Sequence, residues 1–279
     1  MKTFISYFAT LVLIGLISFN ATAQEFQGKA YYSTKSKMEL GTWGATMSEA
    51  QKKQIQERLK NRLEKVYILT FSKEASIYDE DEKLDAISGA TDSWGKNFAP
   101  GEQYKNVKTN MLLQSQEFYG KQFLVKDKLQ TIEWTLTSDT KKVGAYNCMK
   151  AVALVPSSEL YWYDFSWDRI RNNETEDAAA SSDFTQMKQI EMTQIEAWYT
   201  PQIPVSHGPG EYSGLPGLIL EVSADNTTIL CSKIVMNPEE KTKIEAPSKG
   251  KEVTKSEYQE IVKKKMAEMR DMYSGRRGR

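Results

Sequence analysis

The chain has 279 residues, with 37 basic and 37 acidic side chains, one histidine and two cysteines. That charge balance gives no reason to expect nucleic acid or an anionic membrane as a partner. A single histidine excludes a histidine-rich zinc centre, and any triad chemistry would have to use that one residue.

The first 23 residues read as an export leader, with Lys2 as the positive end, Phe8 to Phe19 as the apolar run and Ala21-Thr22-Ala23 as a small-x-small cleavage site. The apolar run is short for a membrane span, which needs about twenty residues. No cysteine lies near the site, the first being Cys148, so a lipid-anchored N-terminus is not expected. The expected product is exported to the periplasm or secreted, does not span the membrane, and forms one domain over residues 24–279. With Lys2 removed, 36 basic side chains face 37 acidic ones.

Residues 27–37 contain a short strand-like alternation. Ser48-Glu-Ala-Gln51 is a capping box opening a helix whose Ile55, Leu59, Leu63 and Val66 form a narrow apolar stripe. Val66 to Phe71 and Ala75 to Tyr78 predict a hairpin, and the acidic run from Asp79 to Asp85 a solvated turn without the glycine and closing glutamate of a calcium loop. Residues 87–104 read as an exposed loop. Strands are expected at 111–113, 117–119, 122–125 and 131–136, the last placing Ile132, Trp134 and Leu136 on one side. Residues 141–146 turn the chain into a strand at 148–155.

Tyr161-Trp162-Tyr163-Asp164-Phe165-Ser166-Trp167 packs consecutive aromatics that cannot all face one core. The segment is either a binding surface, with Trp162 and Trp167 as candidate binding residues, or a two-faced strand covered by the helices and loops. Residues 172–187 form an acidic loop insertion. A strand at 191–200 enters a dense Pro/Gly segment, and strands at 218–222 and 227–235 leave it. Residues 238–250 are a charged connection. Thr254-Lys-Ser-Glu257 caps a second amphipathic helix with Tyr258, Ile261, Val262, Met266, Met269 and Tyr273 on one side, and residues 275–279 are a basic disordered tail.

About ten short strands, two helices and no βαβ alternation predict a mainly β, α+β domain with a curved antiparallel sheet and both helices packed on it. Strand and helix order suggest by analogy a lipoprotein-carrier-like half-barrel. Cys148 and Cys231 are candidates for a disulfide in an oxidising compartment, or for two buried thiols on separate strands.

The Pro/Gly segment holds Pro201, Pro204, Pro209 and Pro216 with Gly208, Gly210, Gly214 and Gly217. Such density specifies one rigid, sharply turning path. Leu215-Pro-Gly-Leu218 suits a type II turn with positive φ at Gly217. Leu218, Leu220 and Val222 would then share one face, with Ile219 and Glu221 on the other. The segment is either a structural corner or a stiff lip beside an apolar pocket. In the second case Trp198, Tyr199, Pro201, Ile203, Pro204, Tyr212, Leu215 and Pro216 are binding candidates. His207 is expected half-exposed. No nucleophile elbow, phosphate loop or dinucleotide fingerprint is present, so no catalytic residue, metal site or cofactor is expected.

Ala197-Trp-Tyr-Thr-Pro-Gln-Ile-Pro204, Gly208-Pro209 and Gly214-Leu-Pro-Gly-Leu-Ile-Leu220 resemble the GLPGLI family, exported proteins typical of the Bacteroidota. Trp134-Thr-Leu-Thr, Gly144-Ala-Tyr-Asn-Cys148 and Cys231-Ser-Lys-Ile234 extend the likeness. The resemblance implies export and a shared fold, and supplies no substrate. The expected function is a non-enzymatic envelope protein binding an apolar or extended ligand (lipid or peptide) or an outer-membrane partner. The alternatives are a hydrolase using carboxylates such as Glu133, Glu191, Glu196 and Glu221, or an accessory subunit of an outer-membrane assembly.

Overall fold

A computed structural model of the chain describes residues 26–37, 46–81, 101–160, 162 and 191–275. The expected leader, the acidic insertion, Trp167 and nearly all of the basic tail lie outside these residues.

The described strands are β1 (Gly28–Ser36), β2 (Glu64–Phe71), β3 (Ala75–Glu80), β4 (Gln103–Asn106), β5 (Met111–Phe118), β6 (Lys121–Lys128), β7 (Thr135–Val143), β8 (Tyr146–Pro156), β9 (Met192–Thr200), β10 (Leu218–Ala224), β11 (Thr227–Met236) and β12 (Lys251–Val253). The helices are α1 (Glu49–Leu63), the one-turn α2 (Ser157–Leu160) and α3 (Lys255–Gly275). All twelve strands form one curved sheet in the order β12-β6-β5-β4-β3-β2-β1-β11-β10-β9-β8-β7. Every neighbouring pair is antiparallel except β12 against β6, which is parallel. The fold is mainly β, with two more strands than the sequence predicts.

The additional strands are short. β4 begins at the end of the stretch read as a loop and runs past it, and β12 follows the 238–250 connection. Strand β7 starts at Thr135 rather than residue 131 and runs through the expected turn to Val143. Its pairing with β8 shifts between Leu136 and Thr140, and Ile132 and Trp134 precede the sheet and pack onto its core.

Register shows what the main face of the sheet carries. One cross-strand row runs Ile234–Ala30–Leu69–Tyr78–Gln103–Gln114–Val125–Val253. The next row runs Gly28–Phe71–Ser76–Lys105–Leu112. Side chains in a row point to the same side of the pleat. Phe71 lies flat over Gly28, where a Cβ would sit 2.3 Å from its ring. Helix α3 covers one end of this face, packing Tyr258, Val262 and Met266 on Phe118, Phe123, Val125 and Val253. Thr254 and Glu257 form its expected capping box, with the Thr254 N–H donating to Glu257 Oε2 at 2.8 Å.

The first helix is a different case. Its capping box at Ser48 and Gln51 is present, but none of its described side chains is fully buried, and Ile55 and Leu63 are only half-buried. It leads straight into β2 and lies against β1 and β2. On the opposite face, Tyr104, Leu113 and Leu124 pack with Ile77, Met111 and Ile244. The charged connection is a strap on that side, tied where the Gln27 side chain bonds both backbone groups of Thr242.

Candidate functional site

Leaving β9, the Pro/Gly loop (residues 201–217) packs on the sheet face as a second cover beside α3. Ile203 and Val205 join the core of Tyr32, Leu69, Phe71 and Tyr78, while Leu215 joins that of Ala151, Ile195 and Tyr199. The loop has its own ladder: the Leu218 N–H donates to Ile203 O at 2.9 Å and the Ile219 N–H to His207 O at 3.0 Å.

Two motif expectations are corrected. Gly217 is not among the positive-φ glycines, whereas Gly210 and Gly214 are, at 53° and 95°. The Leu215–Leu218 corner is therefore not a type II turn; the Gly217 N–H bonds Leu215 O at 2.9 Å, closing a three-residue turn around Pro216. Gly217 is required by close approach, because a Cβ there would lie 2.2 Å from Thr200 O. The second correction is the facing of β10. Its register shifts between Ile219 and Glu221, so Ile219 and Val222 share one core while Leu218 and Leu220 share another.

The loop is fastened by a buried lysine. Lys105, on β4, is 0% exposed, and its Nζ donates to Gly208 O at 2.7 Å, Gly210 O at 2.5 Å and Tyr212 O at 3.3 Å. Three converging carbonyls use all three protons of an ammonium. Burial pushes its pKa down to about 7, against the raising effect of the Glu211 carboxylate. Glu211 reaches the other way: its Oε2 accepts from Lys255 Nζ at 2.5 Å and its Oε1 from Trp162 Nε1 at 2.5 Å. Lys255 opens α3 and sits 5.4 Å from the centroid of the Trp162 ring. Loop and helix are thus joined through one carboxylate. Trp134 adds a further tie, donating from Nε1 to Ser213 O at 2.8 Å.

Between the two covers the sheet face is polar. Gln103, Gln114, Gln116 and Ser76 are buried there, and His207 is buried in the loop, its ring 6.3 Å from that of Phe71. Gln103 Nε2 donates to Gln114 Oε1 at 3.1 Å. Gln103 Oε1, Gln116 Nε2, Ser76 Oγ and both nitrogens of His207 are enclosed without a hydrogen-bond partner. A buried polar atom in that state costs about 1–3 kcal/mol unless water or a ligand meets it, and Ser76, Gln103 and Gln116 stand on successive rows of this face. His207 corrects the expectation of half exposure. Desolvation and the nearby Lys105 charge push its pKa down to about 3, although the Ser72 and Lys73 backbones favour the charged form. Those backbone groups lie near the ring without making a bond of full geometry.

The structure splits the predicted binding residues. Tyr199, Ile203, Leu215 and Trp162 are buried in the cores, Tyr212 is half-buried, and Pro201, Pro204 and Pro216 are exposed at the sheet corner. Trp198 is half-buried under Lys141, whose Nζ is 4.3 Å from the ring centroid, with Lys150 at 5.9 Å. They do not form one apolar lip. The glutamine row and Lys105 were missed, since only strand register reveals them. Cys148 and Cys231 are free thiols. They stand on β8 and β11 with β9 and β10 between, and both lie against the core of Tyr32, Leu69 and Phe71. Among the described residues no three His, Cys, Asp or Glu side chains gather as a metal site, and no helix is long and apolar enough to cross a membrane.

Residues 134–221, from Trp134 through the Pro/Gly loop into β10, match the family model described as Protein of unknown function (Porph_ging). No curated protein matches the chain. Among solved structures it is similar to one titled "Structure of PNGF-II in C2 space group", at 15% identity and a TM-score of 0.46 over 85% of this chain. A second, titled "Structure of PNGF-II in P21 space group", gives 15% identity and a TM-score of 0.41 over 76%. The chain spans about a third of the length of these proteins, at 32% and 28% of each.

Proposed function

We propose that this chain is an exported, non-enzymatic binding protein of the GLPGLI type, which seats a ligand on the sheet face between the Pro/Gly loop and helix α3. Export rests on the leader pattern of residues 1–23. Binding rests on one observation, the partnerless polar atoms of Ser76, Gln103 and Gln116 on successive rows of that face, with His207 buried in the loop beside it. A fold that spends stability in one region commonly does so for a site. Two covers on one sheet face support the analogy to a carrier half-barrel.

This reading changes the kind of ligand expected. The apolar pocket lip is replaced by a seam of amides, a hydroxyl and an imidazole, so an extended or polar ligand fits better than a lipid chain. A hydrolase using His207 fits less well. A general base works best with a pKa near the operating pH, and this one is held at about 3 without a hydrogen-bonded partner.

The test is to express the chain with its leader, collect the exported fraction and examine it by N-terminal sequencing and native mass spectrometry. The expected result is a chain beginning at Gln24 that carries a non-covalent adduct. Removing the adduct should speed amide exchange in residues 103–116 and 206–218. Retention of the leader in the cell would end the export reading. A bare mass, with no small molecule slowing exchange in those segments, would end the binding one.

A further inference from the structure

The hydrogen-bond inventory of the seam, resting on the binding reading above, narrows the ligand to one chemistry. We infer that it takes a neutral amide, from a peptide backbone or a carboxamide side chain, between Gln103 and Gln116 on the face between the Pro/Gly loop and α3.

Gln103 and Gln114 stand opposite each other on β4 and β5 and already share an amide-to-amide bond of 3.1 Å. Gln116 lies two residues further along β5, on the same side of the pleat. Beside that bond, Gln103 Oε1 is an acceptor without a donor and Gln116 Nε2 a donor without an acceptor. An amide offers one of each from two different atoms in one plane and continues the ladder. A hydroxyl offers both from a single atom and, with two bonds of about 2.8 Å, can bridge groups about 5 Å apart, so glucose in the test below represents the competing class. Ser76 Oγ and the neutral imidazole of His207 add donors and acceptors in balance.

The charged groups nearby exclude the other classes. A carboxylate or phosphate needs a free cation, but Lys105 directs its three protons to Gly208, Gly210 and Tyr212, and Lys255 is paired with Glu211 at 2.5 Å. A hydrocarbon chain leaves all five atoms unsatisfied. Because those atoms are enclosed, the loop must shift from Lys105 for a ligand to reach them.

The test titrates the mature chain with N-acetylglycine N-methylamide, propionamide, glucose, inorganic phosphate and laurate. It reads the thermal shift and the side-chain amide resonances of Gln103, Gln114 and Gln116, with Gln103→Met and Gln116→Met alongside. Saturable stabilisation by an amide, with moved glutamine resonances, supports the inference. The two amides separate the sources, N-acetylglycine N-methylamide standing for backbone and propionamide for side chain. Gln116→Met should be more stable without ligand, having lost a partnerless atom, whereas Gln103→Met also takes the donor from Gln114 Oε1; both should bind the amide at least about tenfold more weakly. Should a variant fail to fold, the wild-type resonances alone decide. Binding of glucose, phosphate or laurate in place of the amides overturns the ligand class and leaves the binding reading standing. No binding by any probe, with unmoved resonances, overturns both.

Discussion

Replacing Lys105 by methionine tests whether the Pro/Gly loop is held by its ammonium. The change removes two short bonds, at 2.7 and 2.5 Å, and a longer one at 3.3 Å, leaving three carbonyls without that donor. A hydrogen bond to a charged group contributes about 1.5–3 kcal/mol, which applies below pH about 7, where the buried amine is protonated. Against this, the methionine avoids desolvating a charge, which costs several kcal/mol. The balance is a loss of about 2–4 kcal/mol, or about 10 °C in Tm for a chain of this size. Fluorimetry and urea unfolding measure the loss, and hydrogen exchange localises it to the amides of 206–218 and the loop face of β4. The pH dependence carries a second signature. Lys105 has a pKa of about 7 in the folded chain against an ordinary 10.5, so the unfolded chain binds the extra proton between those values. Its contribution therefore makes stability rise with pH from about 7 to 10.5, and the variant should lack that rise. A variant within about 2 °C of the wild type, with unchanged exchange in the loop, would refute the clamp.

His207→Phe should flatten the acid limb. With a folded value of about 3 against an ordinary 6.5, the unfolded chain binds the extra proton between these, so stability is full above pH 6.5 and falls with pH toward 3. The slope is about 1.4 kcal/mol per pH unit; urea unfolding at neutral and acidic pH compares the two chains, and parallel losses would count against a neutral buried imidazole. Gly217→Ala should cost at least about 3 kcal/mol, because the new Cβ meets Thr200 O at 2.2 Å and Thr200 C at 2.6 Å, both backbone; a thermal midpoint equal to wild type would show that the corner can open. Glu211→Gln loses the ion pair to Lys255 while keeping an acceptor for Trp162, so a loss of about 1–3 kcal/mol is expected, with faster exchange at the start of α3. Loosening confined to the loop would show that Glu211 does not join the two covers.

Signals carried by neighbouring residues were legible in the sequence. Ser48 with Gln51 and Thr254 with Glu257 open their helices because a cap needs only residues three apart. The strands on either side of the Pro/Gly loop are readable from β-branched and aromatic runs ending at turn residues. The same local reasoning failed where two phases compete. Ile132 and Trp134 alternate as a strand would, but belong to the approach to β7, and the irregularity in β10 changes which of Leu218 to Val222 face together.

The sequence by itself determined a mainly β chain, its capped helices and a stiff, sharply turning stretch at 201–217, because period, propensity and proline geometry act within a few residues. Only the tertiary structure decided what that stretch does. Lys105 is one of 37 basic residues, just past a segment read as loop, and nothing beside it in sequence marks it as buried. Its role exists because the curved sheet brings β4 under a loop lying between β9 and β10, 103 residues away at Gly208, where three backbone carbonyls meet one ammonium. The row of glutamines has the same origin. Register across β4 and β5 aligned them, and the loop and α3 then enclosed them, an outcome of long-range pairing that no local pattern encodes.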